Sequence, residues 1–395
     1  MCYLVKYNTI RKGGMYMYKG MQVLDCHIHY ALPTPARSLI DIMDATGTDM
    51  ANLVIVPNRQ RVSSVPDALM AKAQYPDRFY VFASLDVSAY FRAAKQLGKA
   101  MKEYAQQMIR CGCDGIKIIE GKPNMRKELP VPDFDARVWD PFFAWAEAEQ
   151  VPILWHVNDP ETFWNPELAP SWAKKQGWSY DESFINNEAQ YTQVLNLLER
   201  HPKLKIIFAH FFFMSAQLPR LSEIMDRFPN IMVDTTPGIE LYENLSANPE
   251  EAKEFFKKYE DRVTYGTDIG ARSVLPGTPP KLNEVECGHR AELAQTYLTA
   301  SEPVPVKADG DFLVGSEDFA LVGLGLSQEA AQKVLAGNFQ RFVSPKPAPV
   351  KPKEVLKYLR TQRILIRVMS MIDRTVKPDM TCINEIARFF KKAAK

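Results

Sequence analysis

Long apolar runs are missing from this 395-residue chain. No stretch approaches the roughly 18 apolar residues that a bilayer-spanning helix requires, which excludes a bundle of membrane helices. The opening "MCYLVKYNTIRKGGMYMYKG" lacks the apolar core of a secretory signal, so a cytoplasmic protein is expected. Its "RKGGMYM" leaves room for a start at Met17, and residues 1–16 are expected to be a dispensable extension. Neither sign of charge dominates: 49 Lys and Arg stand against 47 Asp and Glu, a net charge of +2. A global bias toward nucleic acid is therefore absent. The six cysteines (2, 26, 111, 113, 287 and 382) have neither C-x-x-C nor zinc-ribbon spacing, so they are expected to be free thiols. Histidine is scarce too, with six in all, yet two of them stand one residue apart in "DCHIHY" (25–30).

What is present is a repeat of short β-branched runs. They fall at 21–30, 51–58, 79–86, 113–120, 151–158, 204–211, 230–237 and 262–269. Each is nearly continuously apolar, as a parallel strand covered on both faces should be. Amphipathic segments separate them. In 188–200, Tyr191, Val194, Leu195 and Leu198 recur at helical spacing. Asp140-Pro141 and Asn248-Pro249 offer N-caps followed by proline, and Ser327 can cap an eighth helix. Eight strand–helix alternations predict an α/β fold, a (β/α)8 TIM barrel over 21–343. Two excursions, 159–187 and 270–326, interrupt it after strands five and eight, on the rim where barrel active sites are built.

Alternation along the first strand puts Asp25, His27 and His29 on one face, opposite Leu24, Cys26 and Ile28. His156 and His210 close strands five and six, and Asp268 closes strand eight. A barrel brings those ends together, and a His-x-His pair with further His and Asp donors suits one divalent transition metal, zinc first and manganese second. Lys117 must point into the barrel, because Ile116 and Ile118 face the helices; Glu120 follows on the other face and is expected to be solvated. Arg59 and Arg61, after strand two, could grip a substrate carboxylate. The run "HFFF" (210–213) with its Phe211, Tyr242 and the tryptophans of the first excursion, Trp164, Trp172 and Trp178, are candidates for an aromatic pocket wall.

The ordered set "LDCHIH", "GIKI", "ILWHV", "IIFAH", "YGTD" and "LAGNFQRF" resembles the amidohydrolase superfamily. It is most similar to the amidohydrolase-related branch that includes aminocarboxymuconate-semialdehyde decarboxylase. The resemblance implies that His27, His29, His156 and Asp268 hold one metal while His210 stands beside it as a catalytic group. It also leaves open a carboxylated Lys117 bridging two metals, although the branch follows the one-metal pattern. The implied activity is hydrolysis of a small cyclic or aromatic carboxylic acid, amide, lactone or ester by water that the metal activates. Asp268 would carry the proton, His210 would stabilise the oxyanion and Asp25 would orient the first-strand ligands. The alternative is non-oxidative decarboxylation on the same site. A more distant one is a non-catalytic barrel whose tail binds a partner.

That tail follows "SPKPAPVKPK", within residues 344–395. Residues 345–395 hold 13 Lys and Arg against 4 Asp and Glu. Its Leu356, Leu359, Ile366 and Met369 recur at helical spacing, which predicts an amphipathic helix packed on the barrel or on a second subunit. A shorter helix is predicted within 382–392. The expected partners are thus a small-molecule substrate and a second copy of the chain, with no membrane and no nucleic acid.

Overall fold

The computed structural model describes residues 9–12, 15–58, 62–238, 240–274, 281–310, 313–315, 317–372, 374 and 377–394, with side chains from Tyr18 onward. Eight parallel strands form one sheet in sequential order: β1 Leu24–His29, β2 Met50–Val54, β3 Phe79–Ser84, β4 Gly115–Gly121, β5 Ile153–Val157, β6 Ile206–Phe208, β7 Ile231–Asp234 and β8 Val263–Thr264. The sheet closes on itself where Cys26 N donates to Tyr265 O (2.9 Å), His29 N to Ile269 O (2.8 Å) and Asp268 N to His27 O (2.9 Å). Helices cover the outside, so the expected (β/α)8 barrel is what the chain forms.

Every strand splits its side chains between two cores. Outward residues such as Leu53, Val81, Ile116, Ile153, Phe208 and Val233 pack under the helices. Inward residues Leu24, Cys26, Met50, Tyr80, Phe82, Leu154, Ile207 and Met232 fill the lower half of the barrel. Phe339 closes the base, its ring 5.2 Å from Tyr80 and 6.0 Å from Phe82. The helix that carries it is interrupted by a π-turn at Lys333–Gly337, and Ser327 caps its start through Ala330 N as expected. Asn248 precedes the helix Pro249–Lys258 as expected, whereas Asp140 is itself the first helical residue, with Pro141 second.

One face assignment needs correction. The β1–β2 register shifts between Asp25 and Ile28. With Leu24 and Cys26 in the interior and Val23 and Ile28 outside, this bulge turns Cys26 and His27 inward in succession. Asp25 therefore does not share the face of the histidines; its buried carboxylate reaches across to Thr267.

The tail is continuous with the barrel core. The helix Pro352–Ile372 buries Val355, Tyr358, Leu359 and Ile366, and Met380–Ala393 packs beside it. Gln362 Nε2 donates to Ser63 O at 2.7 Å, fastening the tail to the segment after β2. Opposite this buried face, Ile364, Val368, Met371 and Ile372 are exposed. The five cysteines among the described residues are free and buried. At the other end, residues 9–12 pair with 15–18 as a small antiparallel hairpin. Among the described residues no helix is long and apolar enough to cross a membrane.

Candidate metal centre

The C-terminal ends of the strands carry His27, His29, His156, His210 and Asp268, all less than a tenth exposed. One ligand atom each from His27, His210 and Asp268 lie within 4.8 Å of one another. His29 Nε2 is 3.2 Å and His27 Nε2 3.7 Å from Asp268 Oδ1. The rings of His156 and His210 are 4.9 Å apart. Gly266, in "YGTD", permits this closeness: a Cβ there would lie 2.3 Å from Thr236 Oγ1 and 3.1 Å from His27 Cβ.

Hydrogen bonds set which imidazole nitrogens face the centre. His27 Nδ1 lies 2.9 Å from Asp234 Oδ2, and His29 Nδ1 lies 3.1 Å from the Val54 carbonyl. Both partners are acceptors, so each Nδ1 carries the proton and each Nε2 presents a lone pair. Those two nitrogens and Asp268 Oδ1 converge at the rim, with Lys117 Nζ also 3.2 Å from His27 Nε2. Burial holds the imidazoles of His27 and His210 well below the ordinary histidine range and takes His156 down to about 4, which keeps them neutral. For Asp268, burial acts upward, but its contacts with His29 and His27 and the charge of Arg290 prevail and hold the carboxyl far below the usual range. His210 Nδ1 is buried with no hydrogen-bond partner among the described residues, while His156 Nε2 faces the Asp159 carboxylate at 3.4 Å. A buried polar atom without a partner costs about 1–3 kcal/mol. A cation satisfies such a set, so the residues present fit a divalent metal.

Strain marks the same rim. His210, Phe211, Phe212 and Phe213 all have left-handed φ, between 52° and 59°, and Asp268 has φ 59°. Such conformations cost roughly 1–2 kcal/mol per residue and persist only where the surroundings impose them. Here Asp234 Oδ1 accepts from His210 N (2.8 Å), the Tyr191 hydroxyl donates to Phe212 O (3.0 Å), and Phe212 stacks on Phe208 at 3.9 Å.

This turn corrects the aromatic wall. Phe211 points away from the centre, onto Phe255 and Phe256. Phe213 takes the place expected of it, 5.0 Å from the His210 ring and 5.3 Å from His156. Four successive left-handed residues break strand alternation, so within "HFFF" only the turn decides that Phe213 and not Phe211 faces the histidines. Tyr242 is scaffold as well: its hydroxyl donates to Thr235 O (2.6 Å) and its ring packs on Tyr297. It lies on the buried face of a short helix with Leu241 and Leu245. The three tryptophans pack mainly in the core of their own excursion, and the Trp178 ring also lies 4.2 Å from Lys122 Nζ just after β4. Trp172 lies 6.0 Å from Trp178, and Trp164 lies 4.8 Å from Tyr180 and donates to Ile185 O. A segment of that length needs an apolar core of its own, which Phe163, Trp172, Trp178 and Tyr180 supply. Arg59 and Arg61 lie outside the described residues.

Two groups that sequence reasoning missed brace the histidines. Asp234 bonds His27 Nδ1 and His210 N at once; its inward alternation with Met232 in "NIMVD" was the available signal. Asp159 lies 3.4 Å from His156 Nε2 and binds Lys122 Nζ with both oxygens (2.6 and 2.7 Å) and the Tyr180 hydroxyl. It ties the first excursion to β4 and β5. Asp25 accepts from His27 N (2.9 Å) and from Thr267 N and its hydroxyl; burial pushes its carboxyl up to about 7. Lys117 points inward as expected, Nζ 3.2 Å from His27 Nε2, with burial lowering it to about 8. Glu120 is fully buried rather than solvated, because the strand register slips between Ile118 and Gly121.

A parallel barrel with neutral imidazoles and a carboxylate at its C-terminal rim defines a metal-dependent TIM-barrel enzyme. The sequence matches the amidohydrolase family over residues 24–343, and the chain belongs to that family. No curated protein matches it. Among solved structures it is similar to 2,6-dihydroxybenzoate decarboxylase from Rhizobium, with 15% identity and a TM-score of 0.49 over 82% of this chain and 99% of that one. It is similar to 5-carboxyvanillate decarboxylase from Sphingomonas paucimobilis at 14% identity and TM-score 0.49, with the same two coverages. A probable 2-pyrone-4,6-dicarboxylic acid hydrolase from Acinetobacter baumannii aligns at 12% identity and TM-score 0.44, again over 82% and 99%.

Proposed function

We propose that the chain is a hydrolase for a small cyclic or aromatic carboxylic acid, amide, lactone or ester, and that it works with one divalent metal, zinc first and manganese second. The observation that carries the reading is the convergence of His27 Nε2 and His29 Nε2 on Asp268 Oδ1, at 3.7 and 3.2 Å, at the C-terminal rim of the barrel. His27, His29, His156 and Asp268 would hold the ion, which supplies Lewis acidity toward the substrate and toward an attacking water. Asp234 and the Val54 carbonyl keep the first-strand imidazoles in the tautomer that offers Nε2. Asp25 steadies the backbone between them and Thr267. Asp268 takes a proton from water and returns it to the leaving group. His210, with Nδ1 otherwise unpartnered, stabilises the developing oxyanion. Lys117, a fully buried cation at the floor of the site, acts uncarboxylated and favours an anionic substrate group.

Decarboxylation uses the same residues, with His210 or Asp268 delivering the proton to a ring carbon as carbon dioxide departs. Phe213 stacked on His210 favours that reading, since it offers a flat apolar wall beside the proton carrier. Metal analysis of the purified protein, with a screen of lactones, amides and aryl carboxylates, tests both: product gains water in one case and loses carbon dioxide in the other. A chain that binds no divalent metal rejects the whole reading. Five buried free thiols support a cytoplasmic setting. The exposed row Ile364, Val368, Met371 and Ile372 supports a homodimer, for which light scattering is the test.

A further inference from the structure

The strand-eight end of the centre is braced from behind by a residue of the second excursion. The helix Glu284–Thr299 within it carries Arg290, whose side chain is fully buried. Its Nη1 lies 3.7 Å from Asp268 Oδ2 and donates to the Thr267 carbonyl at 3.4 Å. Its Nε donates to Glu286 Oε1 (3.0 Å), and Glu286 Oε2 in turn accepts from Arg272 Nε at 2.8 Å. A buried guanidinium is costly unless its charge is met, and here two carboxylates meet it. The two oxygens of Asp268 are thereby divided: Oδ1 faces His27 and His29, while Oδ2 faces Arg290. Thr267 is gripped from both sides, by Asp25 at its N–H and hydroxyl and by Arg290 at its carbonyl. The next residue is Asp268 in its left-handed conformation, which lasts only where neighbours over-determine it.

We propose that Arg290 is a positioning residue for the metal centre, turning Asp268 so that Oδ1 alone is presented, and that the excursion after β8 is part of the site. This rests on the reading that Asp268 is a metal ligand. Arg290 touches no reacting atom. It acts through Asp268, as outer partners of metal ligands do, and such partners are worth about 10–100-fold in metal affinity.

The test measures zinc affinity by competition with a chromophoric chelator, and the visible spectrum after cobalt(II) loading. It uses the full chain, the double variant Arg290→Met/Glu286→Met, and Arg290→Lys. The double variant removes one charge of each sign, so the net charge near the centre is unchanged; Arg272, which loses Glu286, is over a third exposed and can turn to water, and Asp268 keeps His27 and His29. We expect native far-ultraviolet circular dichroism, zinc affinity weakened about tenfold or more, and an altered cobalt spectrum. Arg290→Lys keeps the charge but loses the planar fork, and is expected to weaken zinc about threefold or more; it decides the matter if the double variant does not fold. A folded variant with unchanged zinc affinity and cobalt spectrum overturns the role of Arg290, even if its melting temperature falls. A wild-type chain that binds neither ion overturns the metal reading and this one together.

Discussion

The two ends of the barrel interior are made by the same eight strands and differ in almost everything else. The lower end is apolar, closed by Phe339 against Tyr80 and Phe82. Its backbone is regular and its side chains follow strict alternation. The upper end is polar, carries two register slips and holds non-glycine residues with left-handed φ at Asn158, His210–Phe213 and Asp268. The base contributes burial free energy, and the rim draws on it to hold donors that would otherwise repel or relax. Stability and chemistry are thus separated along each strand by only two or three residues, as Leu154 and His156 illustrate on β5.

If that division is right, substitutions at the two ends must fail in different ways. Asp268→Ala should lose the metal and lower activity by at least about 10³-fold, with circular dichroism largely kept; metal analysis showing full occupancy would reject Asp268 as a ligand. Phe339→Ala should do the reverse, costing about 3–5 kcal/mol in denaturant unfolding while metal stoichiometry stays unchanged. Loss of metal there would mean that base and rim are not separable. His210→Ala is expected to retain metal and reduce kcat by about 10²-fold. Its closeness to His27 and Asp268 makes the metal content decisive, since a metal-free variant would place His210 among the ligands.

Smaller effects sharpen the boundary. Asp234→Asn should weaken metal affinity by about 10–100-fold without unfolding the protein, because the His27 ring loses its anionic anchor. An affinity equal to wild type would assign Asp234 to the scaffold. Glu120 tests whether the polar end also carries a stability cost. Burial pushes its carboxyl from 4.5 up to about 7. The folded chain then keeps a proton that the unfolded chain releases, so stability should fall as pH rises from about 4.5 to 7, with the cost complete above 7. Glu120→Gln should remove that slope and gain about 3 kcal/mol at pH 8, with no change at pH 4. A variant less stable than wild type at pH 8 would show that the ionised carboxylate is wanted where it is.

The sequence by itself determined the eight-fold alternation, the strand positions, the two excursions and the convergence of His27, His29, His156, His210 and Asp268, because each depends on local periodicity or on strand ends that any closed barrel gathers. It also placed Lys117 inward, by simple alternation with Ile116 and Ile118. Alternation failed where the backbone left the ideal strand, at the bulge that turned Asp25 away from the histidines and at the slip that buried Glu120, and within 210–213 a left-handed turn chose Phe213 over Phe211. Only the tertiary structure decided these, since a bulge or a left-handed turn is imposed by distant partners such as Thr267, Asp234 and Tyr191 rather than by the residues that adopt it. The same holds for Arg290, a lone cation in an excursion until packing sets it behind Asp268, where a low-dielectric interior makes its charge matter.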